Sequence, residues 1–131
     1  MIASSPFLRR ALAADAITSG AMGVLLAAAG GVLEGLLGIP AAFSHPVGLF
    51  LVAYAAFIAW MAVKPSLPGR LVWAVIVVNG LWVIESIVAL AAGFLQPTAL
   101  GYAFVIAQAL AVAAFAELQV MGLRRSQRLA A

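Results

Sequence analysis

Apolar residues run along this chain in four long blocks, and most polar residues gather between them. A helix needs roughly 20 predominantly apolar residues to cross the hydrocarbon core of a bilayer. The blocks at about 7–29, 46–63, 68–93 and 98–123 meet that requirement. Each start carries helix-opening chemistry: Ser5 before Pro6, Ser44 before Pro46, Ser66 before Pro68, and Pro97. A Ser cap serves the free N–H groups of the first turn, and Pro tolerates a position that has no N–H to satisfy. Each break carries Gly or Pro, Gly30-Gly31 among them. The stretch LEGLLGIPAAF, 33–43, is apolar but too short to span and predicts a short interfacial helix or a reentrant turn. The expected fold is all-α, an integral membrane four-helix transmembrane bundle forming a single domain over 1–131.

Composition agrees with that pattern. The chain is 66% hydrophobic and 8% charged, with a mean hydropathy of +1.19. A soluble domain is about half apolar and about a quarter charged. Arg9 and Arg10 ahead of an apolar run, with Ala27–Ala29 as a cleavage site, raise the alternative of a secretory leader. The run is too long for a leader and carries Asp15, Thr18 and Ser19, so it reads as a first span. The absence of cysteine excludes disulfides, thiolate metal sites, iron–sulfur clusters and cysteine nucleophiles.

Charge gives an orientation. Arg9 and Arg10 precede span one, Lys64 and Arg70 lie between spans two and three, and Arg124, Arg125 and Arg128 follow span four. With four crossings these regions share one side, and the other side holds Glu34, His45 and Gln96 without any Lys or Arg. The positive-inside rule then places both termini in the cytoplasm of a bacterial cell, in a multi-pass inner-membrane protein. Basic residues spread over span ends in this way do not suggest a nucleic-acid partner. Trp60 and Trp73 fit an aromatic belt, whereas Trp82 falls near mid-span.

Helices in lipid associate where small residues let backbones approach. Ala16/Gly20, Ser19/Gly23, Ala55/Ala59 and the ridge Ala103, Ala107, Ala111 have the four-residue spacing, and Gly31/Gly35 form a GxxxG at the membrane edge. Ordinary packing within the bundle and a homodimer face are both compatible with such ridges.

Few groups inside the spans can carry chemistry. Asp15 and Glu117 should lie at similar depth near the basic end, where Lys64 and Arg70 could meet them in a salt-bridge ring; the functional alternative is a protonatable site. Glu85, in LWVIESIVAL, lies deeper, with Asn79, Trp82 and Ser86 on roughly its face at helical spacing. Gln108, Thr18 and Ser19 should reach about the same depth. A polar patch of Glu85, Gln108, Asn79, Thr18 and Ser19 in the bundle interior is therefore expected, out of reach of every Lys and Arg. Two roles fit Glu85: a neutral carboxyl that donates to Gln108 or a backbone carbonyl, or a group used by a proton or a cationic ligand. His45, the only histidine, reads as a solvated or capping loop residue, and with Glu34 it makes a poor metal site. No metal, cofactor or catalytic set is drawn from these residues.

The stretches RRALAADAITSGAMGVLLAAAG, GLLGIPAAF, VWAVIVVNGLWVIES and PTALGYAFVIAQALAVAAFAELQVMGLRR resemble a group of small bacterial four-span integral membrane proteins. The resemblance covers nearly the whole chain. It implies a four-helix inner-membrane protein, brings no activity, and directs attention to Asp15, Asn79, Trp82 and the FAELQ segment with Glu117. Small multidrug-resistance exporters are similar in size and span count and carry an acid in span one. Their aromatic-and-glycine pattern around that acid is missing here, and the charge bias of this chain is complete. DoxX-like proteins also have four spans, but their motifs find no match.

Three functions follow as expectations. The first is a module without catalytic activity, an accessory or scaffolding subunit in a larger membrane complex or a small homo-oligomer. The alternative is a proton-coupled small transporter or hydrophobic-ligand binder using Glu85 with Gln108 and Asn79, and with Asp15 and Glu117 as a relay. The third, a lipid- or quinone-acting enzyme, has the least support, because no nucleophile or metal set is present.

Overall fold

A computed structural model describes residues 1–130. The chain is all-helical apart from one pair of two-residue strands. Helix α1 covers Pro6–Ala28, α2 Gly30–Leu37, α3 Ala41–Val63, α4 Gly69–Ala91 and α5 Ala99–Ala130. Four of these, all but α2, are long and apolar enough to cross a membrane. The short helix α2 takes the first part of the segment 33–43 expected to be interfacial, and residues 41–43 open α3 instead.

Helix α1 opens as its sequence suggests, with the Ser5 hydroxyl accepting from the Leu8 N–H at 3.1 Å. Two boundaries differ from expectation. Helix α3 begins at Ala41, not at Pro46, and Ser44 is not its cap. The extended Pro40 serves instead, and the Glu34 carboxylate accepts from the Ala41 N–H at 3.0 Å. A carboxylate at a helix start is favoured by the N–H groups and by the helix dipole. Pro46 is carried inside the helix, in its second turn, where it cannot donate to the Ala42 carbonyl. Helix α5 continues to Ala130, beyond the expected end at 123, because LRRSQRLA contains neither Gly nor Pro.

The strands β1 (Ile2–Ala3) and β2 (Ser66–Leu67) pair antiparallel, Ile2 opposite Leu67 and Ala3 opposite Ser66. They fasten the N-terminal residues to the α3–α4 link. At the same end the Ser5 N–H donates to Ser126 Oγ on α5 at 2.9 Å. All seven Lys and Arg lie in the connections and helix turns of this basic end. The opposite end is closed by Thr98, whose N–H donates to Leu37 O and whose hydroxyl donates to Leu36 O, both at 2.9 Å.

Helix α1 packs along α3, α4 packs along α5, and contact between α1 and α5 joins the two pairs. Helices α1 and α3 cross closely at Gly23 and Gly48. A Cβ on Gly48 would lie 2.7 Å from Gly23 O and 2.5 Å from Ala27 N. Gly20 faces Ala55, but Gly31 and Gly35 meet nothing, so that GxxxG is not a packing motif within the chain. The apolar core falls into two clusters. The larger, around Leu8, Leu12, Ile58, Met61, Val72 and Leu123, fills the basic end. The smaller, Leu37, Ile39 and Val105, fills the other end.

Candidate ligand-binding crevice

The middle of the bundle is polar and hollow. Asp15 on α1 is 1% exposed. Its carboxylate accepts from Gln119 Nε2 at 2.7 Å, Asn79 Nδ2 at 2.9 Å and Ser19 Oγ at 3.0 Å. The Asn79 amide also donates to Gln119 Oε1 at 3.0 Å, and Asn79 Oδ1 accepts from the Tyr54 hydroxyl at 3.0 Å. One network thus takes a side chain from each of α1, α3, α4 and α5. Asp15, Tyr54, Asn79 and Gln119 lie 9 to 11 residues from the basic ends of their helices, about 15 Å deep at 1.5 Å per residue. Every polar atom of Asp15, Asn79 and Gln119 has a partner, as a polar group away from water requires.

The expected salt-bridge ring does not form, because Asp15 lies too deep and its partners are all neutral. Arg9 Nε donates to Ala62 O at 3.1 Å, Lys64 sits over the Trp60 ring at 5.2 Å, and Arg70 is exposed. Glu117 is exposed as well. Two residues along a helix is a turn of about 200°, so the FAELQ segment presents Gln119 inward and Glu117 outward.

A second polar cluster lies further from the basic end, one to two turns on along α4 and about three along α5. Trp82 Nε1 donates to Gln108 Oε1 at 2.7 Å, and Gln108 Nε2 donates to Ser86 Oγ at 3.0 Å and to Val105 O at 2.9 Å. The expected patch of Glu85, Gln108, Asn79, Thr18 and Ser19 is therefore divided. Asn79 and Ser19 belong to the Asp15 network, Gln108 to the Trp82 cluster, and Thr18 and Glu85 are exposed. Asn79, Trp82 and Ser86 form one inward row; Glu85, one residue before Ser86, is rotated about 100° away from it.

Two cavities flank the second cluster. One, of about 270 Å³, is lined from all four spanning helices, with Ser19, Tyr54 and Asn79 at its polar wall. Phe50, Phe104, Phe115 and Ala111 are among its apolar walls. The other, of about 220 Å³, is lined by Phe43, Ser44, Glu85, Ser86 and Leu95 among others. Met22, Trp82, Phe104 and Gln108 line both and form the partition between them.

Gln119 and Tyr54 complete the network, and of the two only Gln119 carries a signal in the sequence. Gln119 follows Gln108 by 11 residues, close to three turns, so both fall on one stripe of α5. Tyr54 has no such signal: the phenol sits in an apolar run and could equally face lipid. At the far end, His45 is exposed and Glu34 is engaged at the start of α3. No protein family, no curated protein and no solved structure matches this chain.

Proposed function

We propose that this protein is a non-enzymatic membrane-embedded binder of a small, mostly apolar molecule, held in the crevice between the α1/α3 and α4/α5 pairs. The observation that carries this reading is the 270 Å³ cavity, walled by apolar side chains of all four spanning helices and bordered by the Tyr54–Asn79 and Trp82–Gln108 groups. An apolar pocket with a few convergent polar groups is the usual form of a small-molecule site. The polar groups bordering it are held by their own hydrogen bonds, so the site is built before a ligand enters. The clustering of every Lys and Arg at one end supports an orientation with both termini in the cytoplasm of a bacterial cell, in its inner membrane. This reading develops the hydrophobic-ligand alternative and moves its centre from Glu85 to the interior of the bundle.

Native mass spectrometry of protein extracted together with its own lipid tests it. The expected spectrum shows one retained small molecule, lost when Ala111→Phe fills the cavity. A bare protein, or a molecule retained unchanged in the Ala111→Phe variant, would contradict the proposal.

A further inference from the structure

The crevice has two unlike ends, and the difference points to the chemistry of what it holds. The cavity nearer the basic end is bordered by hydrogen-bonded, uncharged groups. The cavity remote from it carries Glu85, the only acidic or basic side chain lining either space. Glu85 stands six residues from the end of α4, about 9 Å inside it. Among the described residues it has no hydrogen bond or ion-pair partner, and all seven Lys and Arg lie at the opposite end of the bundle. A carboxylate at this depth is tolerated when it meets a cation or a proton.

The walls beside it are aromatic: Phe43, Trp82 and Phe104 line the same space. Aromatic faces attract ammonium groups, most strongly where water is excluded. Ser44 also lines this cavity; it is 1% exposed and its hydroxyl has no hydrogen-bond partner. An unpaired buried hydroxyl is uncommon in a folded protein, and a bound polar group is one of the partners that satisfies it.

We infer that the molecule held in the crevice is a lipophilic ammonium cation, with its charged end between Glu85 and the face of Trp82 and its apolar part directed past the partition. The inference rests on the crevice being a binding site and adds the charge of its ligand.

The test uses the full chain in lipid nanodiscs with Trp60→Phe and Trp73→Phe, which leave Trp82 as the sole tryptophan reporter in the cavity wall. Benzyltrimethylammonium and its neutral isostere neopentylbenzene are titrated against Trp82 fluorescence. The cation is expected to bind more tightly than the isostere. Glu85→Gln should weaken the cation about tenfold, the size of one partly desolvated charge contact, and leave the isostere within twofold. Glu85→Asp should keep the preference for the cation. Equal binding of the two probes, or a cation affinity unchanged in Glu85→Gln, would overturn the charge assignment while leaving the crevice as a site. Binding of neither probe would overturn the charge assignment and the crevice reading together.

Discussion

The Asn79 side-chain amide donates to the Asp15 carboxylate across 2.9 Å, joining helices whose contact residues lie 64 positions apart in the chain. Gln119 donates to the same oxygen at 2.7 Å. Removing the acceptor leaves one N–H of each amide without a partner, away from water. Asp15→Leu should therefore destabilise the bundle by about 2–6 kcal/mol, taking about 1–3 kcal/mol for each unpaired buried donor. Asp15→Asn should be much milder. Its carbonyl can replace the shared oxygen, and its amide can donate to Ser19 once that hydroxyl turns. Reversible unfolding in mixed micelles measures both, and equal losses in the two variants would show that the charge, not the acceptor, is what the network needs.

The α1–α3 crossing makes an opposite pair of predictions for two glycines. Gly48→Ala puts a methyl 2.5 Å from Ala27 N and 2.7 Å from Gly23 O, and backbone cannot yield as a side chain can. A loss of about 1–3 kcal/mol is expected, as for other overpacked positions. Gly35→Ala meets nothing within 4 Å in α2 and should be neutral or stabilise by up to about 1 kcal/mol. Thermal unfolding of the two variants side by side checks this; a destabilising Gly35→Ala would indicate that a second chain covers that face.

Gln108 accepts the Trp82 indole N–H at 2.7 Å and donates to Ser86 at 3.0 Å. Gln108→Leu leaves that indole without its acceptor at the partition between the cavities. A stability loss of about 1 kcal/mol is expected, together with a changed Trp82 emission in the variant lacking Trp60 and Trp73. An unchanged emission would mean that the indole has another partner.

Orientation is open to chemical labelling, since the chain has no cysteine of its own. Gln96→Cys, at the end without Lys or Arg, should react with an impermeant maleimide on intact cells. Gln127→Cys, in the last turns of α5, should react only after the membrane is opened. The reverse pattern would refute the cytoplasmic placement of the termini.

Much of the architecture is legible in the sequence because bilayer length and helix-breaking residues act locally. The apolar runs and their Pro and Gly punctuation place the four long helices within a few residues, except where Pro40 and Glu34 open α3 ahead of Pro46 and where α5 runs on past 123 to Ala130. The centre of the bundle is harder to read. Asp15 and Asn79 stand out as polar residues in apolar runs, yet their meeting depends on how α1 and α4 are rotated about their axes, which spacing along one helix does not determine. Glu85 shows the limit most clearly: its sequence neighbours Trp82 and Ser86 turn inward, and a rotation of about 100° sends it to the rim of the smaller cavity.

The occupancy of the crevice itself is the most direct measure of what this protein does. A structure determined from protein purified with its membrane lipid should show non-protein density between the Tyr54–Asn79 pair and the Trp82–Gln108 pair, extending toward Glu85. An empty, collapsed space, with Phe50, Phe104 and Phe115 closed on one another, would contradict a ligand-binding role.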